Sequence, residues 1–222
     1  MITVFDEIAM QENINLYGGR HGEVKEVLDN KKFIKRGHVE FSVGQYYGIT
    51  FISFMGSYGN SDWLDDFKFW KEKHKIDTFF AKIHHGVEAQ WDYIWPFVEL
   101  ELKYMDKDIF FNGHSLGGGL AQRAALHYIG KKAFAISTFG SLRIMDPFTA
   151  NYFNKNVSLS KRFVYKNDAV THVPTAWMNF KHVGKVIKLG NQTLWDKINP
   201  IDNFDDHEPV HYLREIKKIR AK

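Results

Sequence analysis

Two hydrophobic regimes alternate along this chain. One is a set of short apolar runs; the other has apolar residues returning every three or four positions. The runs Val39–Val43, Tyr46–Phe54, Thr78–Ile83, Asp108–Asn112, Lys132–Phe139, Lys161–Tyr165 and Val183–Leu189 predict strands, the first two joined by a turn at Gly44-Gln45. Helical spacing appears at Asp62–Lys73, where Trp63, Phe67 and Trp70 share a side. It appears again at Glu88–Met105, which Pro96 should kink or divide, and at His207–Arg220. Residues 1–30 read as polar and irregular, with a short helix around Phe5–Tyr17. Strands alternating with helices predict an α/β sandwich with a mostly parallel central sheet. With 222 residues and neither repeat nor low-complexity linker, residues 1–222 are expected to form one domain.

The run Asp108–Asn112 leads directly into Gly113-His114-Ser115-Leu116-Gly117, followed by the small-residue helix pattern Gly118-Gly119-Leu120-Ala121. Strand, G-x-S-x-G, helix is the context of a nucleophile elbow. Ser115 would sit on a strained turn with its hydroxyl in the open. Gly113 and Gly117 would permit close strand–helix packing, and the helix N-terminus would offer free N–H groups to an oxyanion. A serine nucleophile needs a base, and the base a carboxylate, in the chain order Ser, Asp or Glu, His. Asp168, just beyond the strand ending at Tyr165, is the best acid. Asp146 precedes Pro147 and reads as a turn residue. Of the later histidines, His172 crowds Asp168 and His182 begins a strand. His207 and His211 both lie near the start of the last helix, and spacing alone does not separate them.

Composition narrows the chemistry further. Apolar residues at 44% and aromatics at 16% describe a globular chain. The absence of cysteine excludes disulfides, thiolate catalysis and cysteine zinc sites. The net charge of +4 is spread out. Its one cluster, Arg214–Lys222, reads as a solvated helix face, with anionic lipid contact a secondary reading and no nucleic-acid partner expected. No apolar run approaches the ~18 residues of a membrane span. Met1–Glu7 shows no secretory pattern, so a cytoplasmic location is expected, with release by a non-classical route or lysis as the other option. Gly117–Gly119 lacks the G-K-[ST] of a phosphate loop. Asp202, Asp205, Asp206 and His207 could suggest calcium but lack EF-hand spacing and read as a solvated loop.

Several ordered blocks resemble the class 3 lipases, the fungal-type family of α/β-hydrolases. These are Ile52–Ser57 with Asp62–Phe67, Ile83-His84-His85-Gly86-Val87, GHSLGGGLA at 113–121, Thr138–Arg143, Asn167–Pro174, His182-Val183-Gly184, and Asp206-His207 with Tyr212 five residues on. Leu142 stands where the family has proline, Val87 where it has phenylalanine, and the N-terminal region is shorter. The resemblance implies an α/β-hydrolase fold with a short lid and a reduced N-terminal region. It implies Ser115 as nucleophile, Asp168 as orienting acid and His207 as general base. The backbone N–H groups of Ser57 and Leu116 would form the oxyanion hole, and Tyr58, Trp63 and Leu64 would form a lid. Core anchoring of its helix is the competing role for Trp63. His84 would be structural. The implied activity is cofactor- and metal-free cleavage of acylglycerol or related lipid esters at a lipid–water interface through an acyl-enzyme. Phospholipase A1, a short-chain esterase, or a non-catalytic scaffold of the same fold are the alternatives.

Overall fold

The computed structural model describes residues 1–57, 71–76, 79–103, 108–130, 134–192 and 204–222. Seven strands form one sheet in the order β1-β2-β3-β6-β7-β8-β9. The first three, β1 (Asp29–Arg36), β2 (Val39–Tyr46) and β3 (Ile49–Phe54), are an antiparallel meander. From β3 onward, β6 (Ile109–His114), β7 (Phe134–Phe139), β8 (Ser160–Tyr165) and β9 (Lys185–Leu189) run parallel. A separate hairpin pairs β4 (Lys71–Ile76) with β5 (Phe79–His84). One face of the sheet is covered by α2 (His85–Leu102), α3 (Leu116–Tyr128) and α4 (Pro147–Asn156), through a core that includes Trp91, Leu120 and Phe153. The other face is covered by α1 (Val4–Leu16) and α5 (Pro209–Arg220), through Met10, Phe51, Phe163 and Tyr212. The sheet is thus mostly parallel and flanked by helices, and every parallel strand ends at the edge where Ser115 lies.

The structure corrects several expectations. The turn between the second and third strands is Tyr47-Gly48, not Gly44-Gln45. Both turn residues have positive φ, 47° and 78°, as a two-residue hairpin turn requires. Gly44 sits inside β2 because Leu28 packs onto it: a Cβ there would meet Leu28 Cβ at 2.8 Å. Lys71–Lys73 belong to a strand paired with β5, not to a helix; the rest of the expected helix at 62–70 lies outside the described residues. The α2 helix runs undivided through Pro96. Strand β1 and helix α4 were not expected, and β7 begins at Phe134.

The N-terminal helix α1 forms where the sequence predicts it, and several of its polar residues face inward. Asp6, Glu12 and Asn13 are fully buried. Asp6 caps its own helix through Thr3 and accepts hydrogen bonds from Ser137 Oγ and Lys161 Nζ. Glu12 accepts from Ser42 Oγ and pairs with Lys31 at 3.0 Å. Asn13 bonds the Asn112 side chain and the backbone N–H of His114. These polar side chains survive burial because each meets a partner on the sheet. Of the three, Asn13 ties α1 to the strand that carries the elbow. On the opposite face, Arg123 of α3 forms a bidentate pair with Glu88 of α2 at 2.7 and 2.8 Å and lies over Trp91.

Candidate active site

Ser115 follows β6 with φ 58° and ψ −128°, a conformation costly for any residue with a side chain. The surroundings enforce it. A Cβ on Gly113 would lie 2.1 Å from Gly117 O, and one on Gly117 would lie 2.1 Å from Phe54 O. Only bare backbone allows β6, α3 and the end of β3 to approach this closely. The Ser115 N–H is bonded to Phe139 O at 2.9 Å, while Leu116 opens α3, where the first N–H groups have no intrahelical partner. The end of β3 delivers Met55-Gly56-Ser57 to the same spot: a Cβ on Gly56 would be 3.0 Å from Ser115 Cβ. Ser57 and Leu116 line one cavity of about 170 Å³ with Glu40, Met55, Gly56 and Gln90. The two sequence-assigned oxyanion donors are therefore brought together beside Ser115.

Asp168 is fully buried in the loop after β8, and both its oxygens are occupied. Oδ1 accepts from the Val170 N–H at 2.9 Å. Oδ2 accepts from His207 Nδ1 at 2.8 Å and from the Tyr212 hydroxyl. Burial first, and then the Asp168 charge, hold the Tyr212 phenol well above its usual pKa, so it stays a donor. With Nδ1–H given to the carboxylate, His207 keeps its Nε2 lone pair for a proton acceptor's role. Among the described residues the Ser115 hydroxyl makes no hydrogen bond, an arrangement common before substrate binds. Gly140 makes the acid site possible: its φ is 55°, and a Cβ there would lie 2.5 Å from Asp168 Oδ2.

The loop carrying Asp168 is clamped from behind. Arg143 donates to His172 O and Pro174 O, and His182 Nε2 donates to Thr171 O at 2.8 Å. Leu142, the residue in place of the family's proline, is fully buried, and Arg143 beside it keeps the loop anchored. Asp146 is the N-cap of α4, accepting from Thr149 N, which leaves it a structural role. His211 stacks on Tyr165 at 5.2 Å, while the donors to Asp168 Oδ2 are His207 and Tyr212. His84 is buried, accepts from Gly86 N and packs on Phe180. Tyr58, Trp63 and Leu64, and with them the expected lid, lie outside the described residues, as does Asp202. Among the described residues no cluster has the makings of a metal site. Sequence reading used Tyr212 only as a spacing mark and passed over Gly140, His114 and Tyr17. The Thr138–Arg143 and Asp206–Tyr212 blocks held the signal for the first two.

Two buried imidazoles, His84 and His114, and the half-buried His182 make the fold acid-sensitive. Burial, then His85, lowers the His84 pKa to about 4. Burial, then the His207 charge, pushes His114 well below the usual range; burial, then Arg162 and Arg143, does the same to His182. In the unfolded chain each titrates near 6.5. Below that pH the unfolded chain binds more protons, so the stability these groups confer is complete above about 6.5 and is lost as pH falls toward the folded values. Three such groups set a slope of up to about 4 kcal/mol per pH unit. Urea unfolding at pH 7, 6 and 5 should show this decline, and His182→Gln should remove about a third of the slope. A slope indifferent to that replacement would refute the account.

Sheet order, elbow and flanking helices define an α/β-hydrolase fold. The chain belongs to the class 3 lipase family, whose model, described as lipase (class 3), matches residues 51–178. It is 30% identical over 115 residues to a lipase of Rhizopus niveus, covering 47% of this chain and 29% of that protein. To the secreted mono- and diacylglycerol lipase 1 of Fusarium solani it is 25% identical over 138 residues, covering 59% of this chain and 41% of that one. The matched segment thus spans less than half the length of these curated relatives. Among solved structures, the Rhizomucor miehei triacylglyceride lipase superposes with a TM-score of 0.75 at 20% identity, covering 94% of this chain and 96% of that one. Lipase II from Rhizopus niveus gives 0.75 at 19% identity, covering 92% of each. At these identities the structural likeness is one of fold.

Proposed function

We propose that this chain is a serine carboxylic-ester hydrolase that cleaves acylglycerols or related lipid esters at a lipid–water interface. The observation that carries the reading is the 2.8 Å bond between His207 Nδ1 and the buried Asp168, next to a serine on a strained elbow. In this reading His207 Nε2 takes the Ser115 proton and Ser115 Oγ attacks the ester carbonyl. The N–H groups of Ser57 and Leu116 hold the oxyanion, and His207 passes the proton to the leaving alcohol. Water, activated by the same imidazole, then releases the acid. Family membership supports the choice of lipid ester. So does a triacylglycerol lipase of the same fold whose catalytic centre is described as a serine protease triad.

The test is a hydrolysis panel of p-nitrophenyl esters of graded length, emulsified tri- and diacylglycerols, and phospholipid vesicles. Turnover should be highest on emulsified acylglycerols and rise above their solubility limit. Preference for soluble short esters would move the reading to an esterase, and preference for vesicles would move it to a phospholipase. Absence of both turnover and fluorophosphonate labelling would remove catalysis and leave a scaffold.

A further inference from the structure

The buried imidazole next to the nucleophile is not used in that mechanism, yet it touches the residue assigned as the base. His114 ends β6 one residue before Ser115 and is 2% exposed. Its Nε2 lies 2.9 Å from the backbone carbonyl of His207, and its Nδ1 lies 2.9 Å from the Tyr17 hydroxyl at the end of α1. Its ring stacks on the His207 ring, with centroids 4.4 Å apart and planes inclined by 29°. A carbonyl can only accept, so Nε2 carries the proton and Nδ1 accepts from Tyr17 O–H. One tautomer satisfies both bonds.

We propose that His114 is a positioning residue for the general base: its Nε2–H holds the His207 backbone and its ring face holds the His207 ring in register with Ser115. The inference rests on the reading of His207 as base. The geometry explains why a second imidazole is useful here. The base is carried on a short turn, Asp205–His207, rather than within a helix or the sheet. Its side chain is fixed at one end by Asp168. The His114 bond fixes the backbone at the other end, directly from the strand that carries the nucleophile. Nucleophile and base then move as one unit, and a near-attack geometry tolerates little looseness: a 1 Å misplacement can cost roughly 10²-fold in rate. A neutral ring stacked on His207 also places a π face against the imidazolium that forms during acylation.

Neutrality of His114 is part of the device. The groups around it are Tyr17 and His21 from α1 and the loop after it, and His207 and Tyr212 from the C-terminal segment, with Asp168 behind His207. The carboxylate is engaged with His207 and Tyr212, and burial opposes a charge on His114. A second positive ring would repel the imidazolium of His207. Tyr17 guards against this by occupying the nitrogen that would otherwise take the proton.

Glutamine and asparagine variants separate the two ends of the ring. In His114→Gln the amide nitrogen reaches where Nε2 was and can still donate to the His207 carbonyl. In His114→Asn the shorter amide reaches only where Nδ1 was. Expected is a roughly 10- to 100-fold loss of kcat for His114→Asn at unchanged KM, with an equal loss in the rate of fluorophosphonate labelling. His114→Gln should recover most of it, at a Tm close to that of the asparagine variant. Equal activities for the two variants, or losses that follow Tm alone, overturn the proposal. Nitrogen-15 NMR of the unmutated chain tests it without activity. His114 should stay a neutral Nε2–H tautomer from pH 8 to 5, and an Nδ1–H or charged ring in that range also overturns it. If the parent chain neither turns over nor labels while His114 shows the expected tautomer, the catalytic reading fails and the role of His114 as positioner of a base fails with it. A parent that labels normally beside a fully active His114→Asn defeats this inference alone.

Discussion

Ser115→Ala should lower kcat for ester hydrolysis by on the order of 10⁶, the loss seen when one member of a triad that acts as a unit is removed. The alanine variant should keep its fold. The strain at φ 58° comes from the backbone and from the packing of Gly113 and Gly117 around it, not from the serine hydroxyl, which makes no hydrogen bond among the described residues. Far-UV and near-UV circular dichroism and Tm should therefore match the parent. Fluorophosphonate should label the parent at one site and the variant at none. KM for any residual turnover should stay near the parent value, because the hydroxyl takes part in bond making rather than in holding substrate. Turnover within tenfold of the parent, in a preparation free of contaminating esterase, would rule out Ser115 as nucleophile.

The local features of the site were legible and the long-range ones were not, for a physical reason. The elbow is written in five consecutive residues, because strand end, tight turn and helix start are local events whose glycines leave a mark. The sheet edge was harder. Strand β1 shows no period-two pattern, because most of its residues are solvent-exposed, and periodicity appears only where one face is buried. Helix α4 carried its start signal in Asp146-Pro147, a cap followed by proline at the first helical position, but its low hydrophobicity concealed it. Residues 1–30 read as polar and irregular apart from the helix around Phe5–Tyr17, because nothing local marks where their polar side chains go. Asp6, Glu12 and Asn13 instead find Ser137, Ser42 and Asn112 across the interface, and such pairings over 30 to 131 positions leave no local trace. The same holds for Tyr17 and His114, which are 97 residues apart.

The choice between His207 and His211 is where sequence spacing alone was undecided, and the structure gives the two residues very different surroundings. His207 lies on a three-residue turn ahead of α5, with Nδ1 on Asp168 and its ring against His114. His211 is inside the first turn of α5 and stacks on Tyr165. The donors to the Asp168 carboxylate are Val170, His207 and Tyr212, and His211 is not among them. His207→Ala should therefore cost on the order of 10⁶ in kcat, about as much as the loss of the serine, because the two act on the same proton. The double variant with Ser115→Ala should be scarcely worse than either single one, as expected of parts that work only together. Labelling by fluorophosphonate should fall with turnover in His207→Ala, since acylation itself needs the base. His211→Ala should leave kcat within a few-fold and act through stability, losing the stack on Tyr165, worth about 0.5–1.5 kcal/mol. The decisive measurement is the labelling rate of the two variants side by side at pH 7.5, with Tm recorded for each. Rapid labelling of His207→Ala together with silence of His211→Ala would transfer the base to His211, which would then have to displace Tyr212 from Asp168 to be held in place.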